Sequence, residues 1–207
     1  PQTCKTLGIG WNSKREKALA STWGIKDTDP ECQITIPSGI VIPSKWENEI
    51  LSVYVHFPKD LRTGKQKGQC LRGTGKKPFL AQGKDRKYIF IMESALDAAL
   101  VWQELQGIHT TLAFNGATKN TLEQQYANLI NAHAHIIYLQ DIDENGAGQN
   151  NGKHFTSLFP RAHLLRPASG FKDVGEMHNK AMQTPWNTDL LTIRQYAELI
   201  FQRVNAA

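Results

Sequence analysis

A chain of 207 residues can bury a core without covalent staples. Its three cysteines, Cys4, Cys32 and Cys70, form no CxxC pair, which excludes a zinc ribbon or disulfide framework and favours a reducing compartment. No apolar run approaches the roughly 20 residues of a membrane span, and the first residues lack the order of a secretory signal, so a soluble, cytoplasmic protein with no membrane partner is expected. The net charge of +5 is unevenly spread: residues 1–87 hold 16 Lys or Arg against 8 Asp or Glu, and residues 88–207 hold 8 against 11. An opening Pro1 in place of Met is expected of a piece excised from a longer protein.

Residues 13–25, SKREKALASTWGI, open on Ser13 as an N-cap and reach Gly24, a residue suited to ending a helix, so a short helix is expected there. Three stretches follow, CQITIP, GIVIP and EILSVYVHF, in which β-branched residues are punctuated by Pro and Gly. They predict a small, largely antiparallel sheet. Residues 59–87 then carry most of the basic excess. Their lysines and glycines suit a solvated loop or a surface that faces phosphates.

From Tyr88 the rhythm changes. YIFIM precedes the helical ALDAALVWQELQG, TTLAF precedes NTLEQQYANLINA, HIIYLQ precedes GQNNGKHFTSLF, and AHLLR precedes a loop and a last helix around TIRQYAELIFQRV. Strands alternating with helices predict right-handed βαβ crossovers and a mostly parallel sheet, an α/β fold. The expected organisation is a smaller basic α+β subdomain over 1–87, an α/β domain over 88–180 and a C-terminal helical segment over 181–207. No internal repeat or low-complexity tract interrupts it.

In such a sheet, functional side chains gather where strands end and helices begin. Glu93 ends the first strand of this half, and Asp97 lies one helical turn further on. Asp141 and Asp143 follow the third strand, two residues apart on extended chain and so on one side, before an Asn-Gly-Ala-Gly turn. Carboxylates brought together raise one another's pKa, and such a cluster usually calls for a cation. Oxygen-only ligands favour Mg²⁺ or Mn²⁺. A lone Glu after a strand is commonly a helix N-terminal residue, and a lone DxD is commonly a turn. Their joint placement at two strand ends is the informative observation.

A Glu after a first strand, an Asp four residues later and a DxD after a third strand form a pattern that resembles the TOPRIM domain, over residues 88 to about 165. That domain, Rossmann-like with a mostly parallel sheet, occurs in primases, topoisomerases, OLD-type nucleases and recombination mediators. The flanks resemble bacterial, phage and plasmid primases: LGIGWNSKREKALASTWGI, IPSGIVIP and GQCLRGTGKKPFL look like their basic subdomain with its RGS-like turn. PASGFKDVGEM looks like their third element, here Lys172, Asp173 and Glu176. The family's usual Gly after the Glu is Ser94 in this chain, a residue able to cap the helix, and the RGS-like turn reads Arg72-Gly73-Thr74.

The resemblance implies a metal-dependent nucleotidyltransferase that makes short primers on single-stranded DNA from nucleoside triphosphates. It implies Glu93, Asp141 and Asp143 as catalytic and metal-binding, with Mg²⁺ or Mn²⁺ as cofactor. It implies that Asp173 and Glu176 complete a second metal site or hold its waters, and that Asp97 has a supporting role. Lys67, Arg72, Lys76, Lys77 and Lys172 are implied to bind nucleotide phosphates and the template. A replicative helicase or a separate zinc-binding domain is the implied partner for unwinding and template selection. The alternatives are an OLD-like metal-dependent nuclease and a non-catalytic nucleic-acid-binding module of recombination. His133 and His135 have no partner at ligand spacing and are not expected to bind metal. Trp23, Trp46, Trp102 and Trp186 are expected to pack, Trp11 is left open, and GIGWN lacks the third Gly of a dinucleotide fingerprint.

Overall fold

The computed structural model describes residues 2–25, 29, 31–47, 49–62, 64, 66–114, 122–168, 170–187 and 189–206. They form two compact units, one within residues 1–80 and the other beginning at Ala81.

The first unit runs through α1 (Gln2–Leu7), β1 (Gly10–Asn12), β2 (Glu16–Leu19), a 3₁₀ turn (Ala20–Trp23), β3 (Gln33–Ile36), β4 (Gly39–Trp46), β5 (Glu49–His56), a second 3₁₀ turn (Lys59–Leu61) and β6 (Gly68–Cys70). Strands β1-β4-β5-β6 make one sheet and β2-β3 a separate ribbon, all pairs antiparallel, as the β-branched runs predict. Their inward residues, Ile34, Ile36, Val41, Val53 and Val55, close a core with Ala20, Ile25 and Leu71. The helix expected over residues 13–25 is not formed. Glu16–Leu19 instead pair with Gln33–Ile36, so tertiary pairing overrides local helix propensity. Gly24 does end the 3₁₀ turn that follows, with φ 67° and its N–H donating to Ser21 O.

A five-stranded sheet has the order β11-β10-β8-β9-β7: β8 (Tyr88–Met92), β9 (Thr110–Ala113), β10 (His135–Leu139) and β11 (His163–Leu165) belong to the second unit, and β7 (Phe79–Ala81) spans the division at Ala81. The pairs β8–β9, β8–β10 and β10–β11 are parallel. All five residues of β8 are buried, as befits a central strand covered on both faces. The helices are α2 (Ala95–Glu104), α3 (Gln124–Asn131), α4 (Ala147–Leu158), α5 (Val174–Gln183) and α6 (Ile193–Asn205). Phe201 of α6 packs on Tyr88 and Phe90, while Phe155 of α4 packs on Tyr138, the register partner of Ile91. Phe90 and Ile91 alternate along one strand, so α4 and α6 cover opposite faces.

Between AHLLR and the last helix, where a loop is expected, Val174–Gln183 form helix α5. Asp173 caps it, accepting from Glu176 N at 2.8 Å. Asn120 and Thr121, the expected start of the second helix of this half, lie outside the described residues. Trp186, expected to pack, is 78% exposed. His133 is buried, bonded to Leu129 O at 2.9 Å and to Thr110 Oγ1 at 3.1 Å. Among the described residues no helix is long and apolar enough to cross a membrane.

Candidate active site: an acidic cluster at the strand ends

Glu93 stands where β8 leaves the sheet. The next residue, Ser94, is the N-cap of α2, its hydroxyl accepting from Asp97 N at 3.4 Å, which is the capping role Ser can take at a tight strand-to-helix turn. Asp97 therefore sits in the first turn of α2. There the macrodipole favours a carboxylate.

Asp141 follows β10, the neighbour of β8, and lies at the centre of the cluster. Its pKa is pushed up to about 7 by burial first and then by the charges of Glu93, Asp97 and Asp173, with Lys172 pulling it back. The nearby Tyr138 hydroxyl is raised too, by burial and then by Glu93 and Asp141. Three carboxylates, Glu93, Asp97 and Asp173, thus act on Asp141 from three chain segments.

Asp143 is engaged differently. Its Oδ1 is 3.5 Å from Lys172 Nζ and its Oδ2 accepts from Gly148 N at 3.3 Å. Burial lowers the Lys172 pKa, but Asp143, Asp141 and Asp173 outweigh it and the net shift is upward. Lys172 is held beside the acids by its backbone, whose carbonyl accepts from Ile142 N at 2.7 Å and whose N–H donates to Glu176 Oε2 at 2.8 Å. Asp173 and Glu176 are therefore partly occupied in starting α5. Among the described residues no three His, Cys, Asp or Glu side chains stand close enough to hold an ion as they lie. The donor set nonetheless fits a hard divalent cation: it is all oxygen, and its neighbouring carboxylates add to burial in holding a proton on Asp141 near neutrality.

Two features here were not read from the sequence. Asn151 of α4 donates from Nδ2 to Glu93 Oε1 at 3.0 Å, fixing the carboxylate from across the site. Gly148 and Gly152, one turn apart on α4, let that helix approach the end of β10. A Cβ on Gly148 would collide with the Asp141 carbonyl oxygen, and one on Gly152 would lie 2.8 Å from Leu164 Cδ1. The spacing GQNNG carried this signal.

In the first unit, the turn Arg72-Gly73-Thr74-Gly75 is held to β4 and β5 by buried hydroxyls. Ser52 Oγ of β5 donates to Gly75 O at 2.7 Å, Ser44 Oγ of β4 donates to Lys77 O at 3.2 Å, and Thr74 Oγ1, which donates to Leu71 O at 2.8 Å, accepts from Val53 N of β5 at 3.4 Å. Gly73 and Gly75 have φ of 86° and 53°. This anchoring leaves Lys67, Arg72 and Lys76 exposed and Lys77 half-buried.

No family model matches the chain, and no curated protein does. Solved structures do. The DnaG primase catalytic domain bound to single-stranded DNA covers 97% of this chain and 74% of its own, with a TM-score of 0.59 at 11% identity. The primase fragment of the bacteriophage T7 primase-helicase covers 88% and 66%, with a TM-score of 0.57 at 18% identity. The RNA polymerase domain of Mycobacterium tuberculosis primase DnaG covers 83% and 65%, with a TM-score of 0.56 at 14% identity. The chain thus has the fold of bacterial and phage primase catalytic domains, a mixed α/β architecture with a mostly parallel sheet. It spans 48% to 65% of the bacterial primase chains from Aquifex aeolicus and Mycobacterium tuberculosis.

Proposed function

We propose that this chain is the catalytic core of a DnaG-type primase with a TOPRIM domain, synthesising short primers on single-stranded DNA from nucleoside triphosphates in the cytoplasm. The observation that carries this reading is the placement of Glu93 and Asp141 at the ends of the adjacent strands β8 and β10, where Asp97 of α2 and Asp173 at the start of α5 also bear on Asp141, in a fold shared with primases.

Joining nucleotides takes in-line attack of a 3′ oxygen on an α-phosphate, with negative charge growing on the phosphoryl oxygens. Glu93, Asp141 and Asp143 would hold Mg²⁺ or Mn²⁺, with Asp173 and Glu176 beside them, and the bound cation would stabilise that charge. Lys172 Nζ lies 3.5 Å from Asp143 Oδ1, and Asp141 holds a proton to about pH 7. A bound divalent ion would take the place of both counter-charges. Asp97 and Asn151 orient the cluster. Arg72, Lys67, Lys76 and Lys77 supply sequence-independent phosphate contacts, as the density of cations on an anchored turn favours. Unwinding and template selection fall to a helicase or zinc-binding partner.

The test is incorporation of labelled nucleotide on single-stranded DNA in Mg²⁺ or Mn²⁺, with and without a pre-annealed short RNA primer. Extension lost in Asp141→Asn, while DNA binding is kept, supports the reading. Failure to extend even the annealed primer overturns it. Nicking of DNA in Mn²⁺ that Asp141→Asn stops would install the nuclease in its place.

A further inference from the structure

Between α3 and α4 the second unit contains a cavity of about 390 Å³, within the usual range for small-molecule sites. Its floor is aromatic: Phe114, Tyr138, Phe155 and Phe159 line it, and Phe155 contacts the other three with ring centroids 4.8 to 5.9 Å apart. Its polar lining comes from Asn131, Asn151 and His154, all exposed. Among the described lining residues there is no Asp, Glu, Lys or Arg. A charged body would lose hydration there without a counter-ion. A flat, uncharged ring system with hydrogen-bonding edges would not: its faces meet aromatic carbon and its edges meet amides and an imidazole.

Asn151 also donates to Glu93 Oε1 at 3.0 Å. The cavity therefore shares a residue with the acidic cluster. We propose that it is a nucleobase site, taking one base edge-on to the Asn131 and Asn151 amides while the attached sugar and phosphates run toward Glu93. The choice of a nucleobase among flat heterocycles rests on the primase reading; the cavity itself does not. The base belongs either to a nucleoside triphosphate or to the template strand.

The experiment is titration of the whole chain with adenosine, guanosine and cytidine in EDTA, followed by saturation-transfer NMR, so that neither metal nor phosphate contributes. Binding is expected for wild type. Ala127→Phe, which fills the cavity from α3, should weaken it at least tenfold. Leu158→Glu, at a residue 50% exposed and so safe for folding, should weaken it at least threefold by placing a charge at the mouth. Displacement of the nucleoside by a triphosphate assigns the site to substrate, and displacement by an oligodeoxynucleotide but not by its abasic counterpart assigns it to template. No saturation transfer at several millimolar nucleoside, or transfer unchanged in both variants, overturns the proposal. Annealed-primer extension by the same wild-type sample separates the two readings: if extension persists while nucleosides fail to bind, only the cavity assignment falls.

Discussion

Asn151 and Glu93 are 58 positions apart in sequence, yet the Asn151 amide donates to Glu93 Oε1 at 3.0 Å and ties helix α4 to the end of β8. A neutral donor is suited to that position, since it orients a carboxylate without cancelling its charge. Asn151→Ala should leave the fold intact, costing under about 1 kcal/mol because the bond is exposed, while lowering primer extension about tenfold. Asn151→Asp should be worse, because a carboxylate would face Glu93 directly. Raising Mg²⁺ should rescue the Asp variant more than the Ala variant. Equal extension by all three proteins would show that Glu93 needs no orienting partner.

Asp141 makes stability depend on pH in a fixed direction. Its carboxyl is raised from 3.8 to about 7 in the folded chain, so between those values the folded state holds a proton that the unfolded state has released. Stability from this group is complete below pH 3.8 and lost as pH rises through 7. Between pH 5 and pH 8 the loss is on the order of 2 kcal/mol, at about 1.4 kcal/mol per pKa unit. Asparagine does not titrate. In metal-free buffer, Asp141→Asn should gain on wild type by roughly 5 °C in melting temperature between pH 5 and pH 8. A gap that stays constant with pH would mean Asp141 is not electrostatically strained.

The strands and the acids were legible in the sequence because each rests on local pattern. YIFIM and HIIYLQ are buried runs, and Glu93, Asp141 and Asp143 stand at their ends whatever the helices do. Residues 13–25 were misread because Glu16–Leu19 find strand partners near residue 35, and a helix-like composition has no knowledge of that pairing. Helix α5 is not expected from the sequence although Asp173 and Glu176 are spaced as an N-cap and its N3 residue; the resemblance assigns both acids to a second metal site. The Asp143–Lys172 pair and the Asn151–Glu93 bond join segments whose approach depends on how α4 and the segment entering α5 meet the sheet. Such contacts have no local signature.

The anchored basic turn should act through charge alone. Changing Lys76 and Lys77 together to Ala leaves Ser44, Ser52 and Thr74 to hold the turn, since their bonds run to backbone carbonyls. Single-stranded DNA binding should weaken, and its log-log salt slope should fall by up to about 1.4, at roughly 0.7 per released counterion. His135→Ala, outside the basic segment, should leave the slope alone. Identical slopes in all three proteins would show the segment to be solvated and no part of the template path.

Gly148 offers a test of how rigidly Asp141 must be placed. On an exposed helix, Gly→Ala adds stability by about 1 kcal/mol. Here the new Cβ meets the Asp141 carbonyl oxygen, a backbone atom that can yield only if the end of β10 or the whole of α4 shifts. Gly148→Ala should therefore destabilise by about 1–3 kcal/mol, the range for overpacking, and displace Asp141 as it does so. Two neighbouring glycines separate these effects. Gly146 lies in open space with φ 72°, so alanine there strains the backbone by about 1–2 kcal/mol while its Cβ meets no acid side chain. At Gly152 the nearest atom is the flexible Leu164 Cδ1, 2.8 Å from the new Cβ, which can give way. Thermal melts of the three variants, each paired with Mn²⁺ titration by electron paramagnetic resonance, should show metal affinity falling at least tenfold for Gly148→Ala and staying near wild type for Gly146→Ala, although both melt lower. If Mn²⁺ affinity instead follows melting temperature across all three, the close approach of α4 to β10 serves stability alone, and Asp141 tolerates displacement.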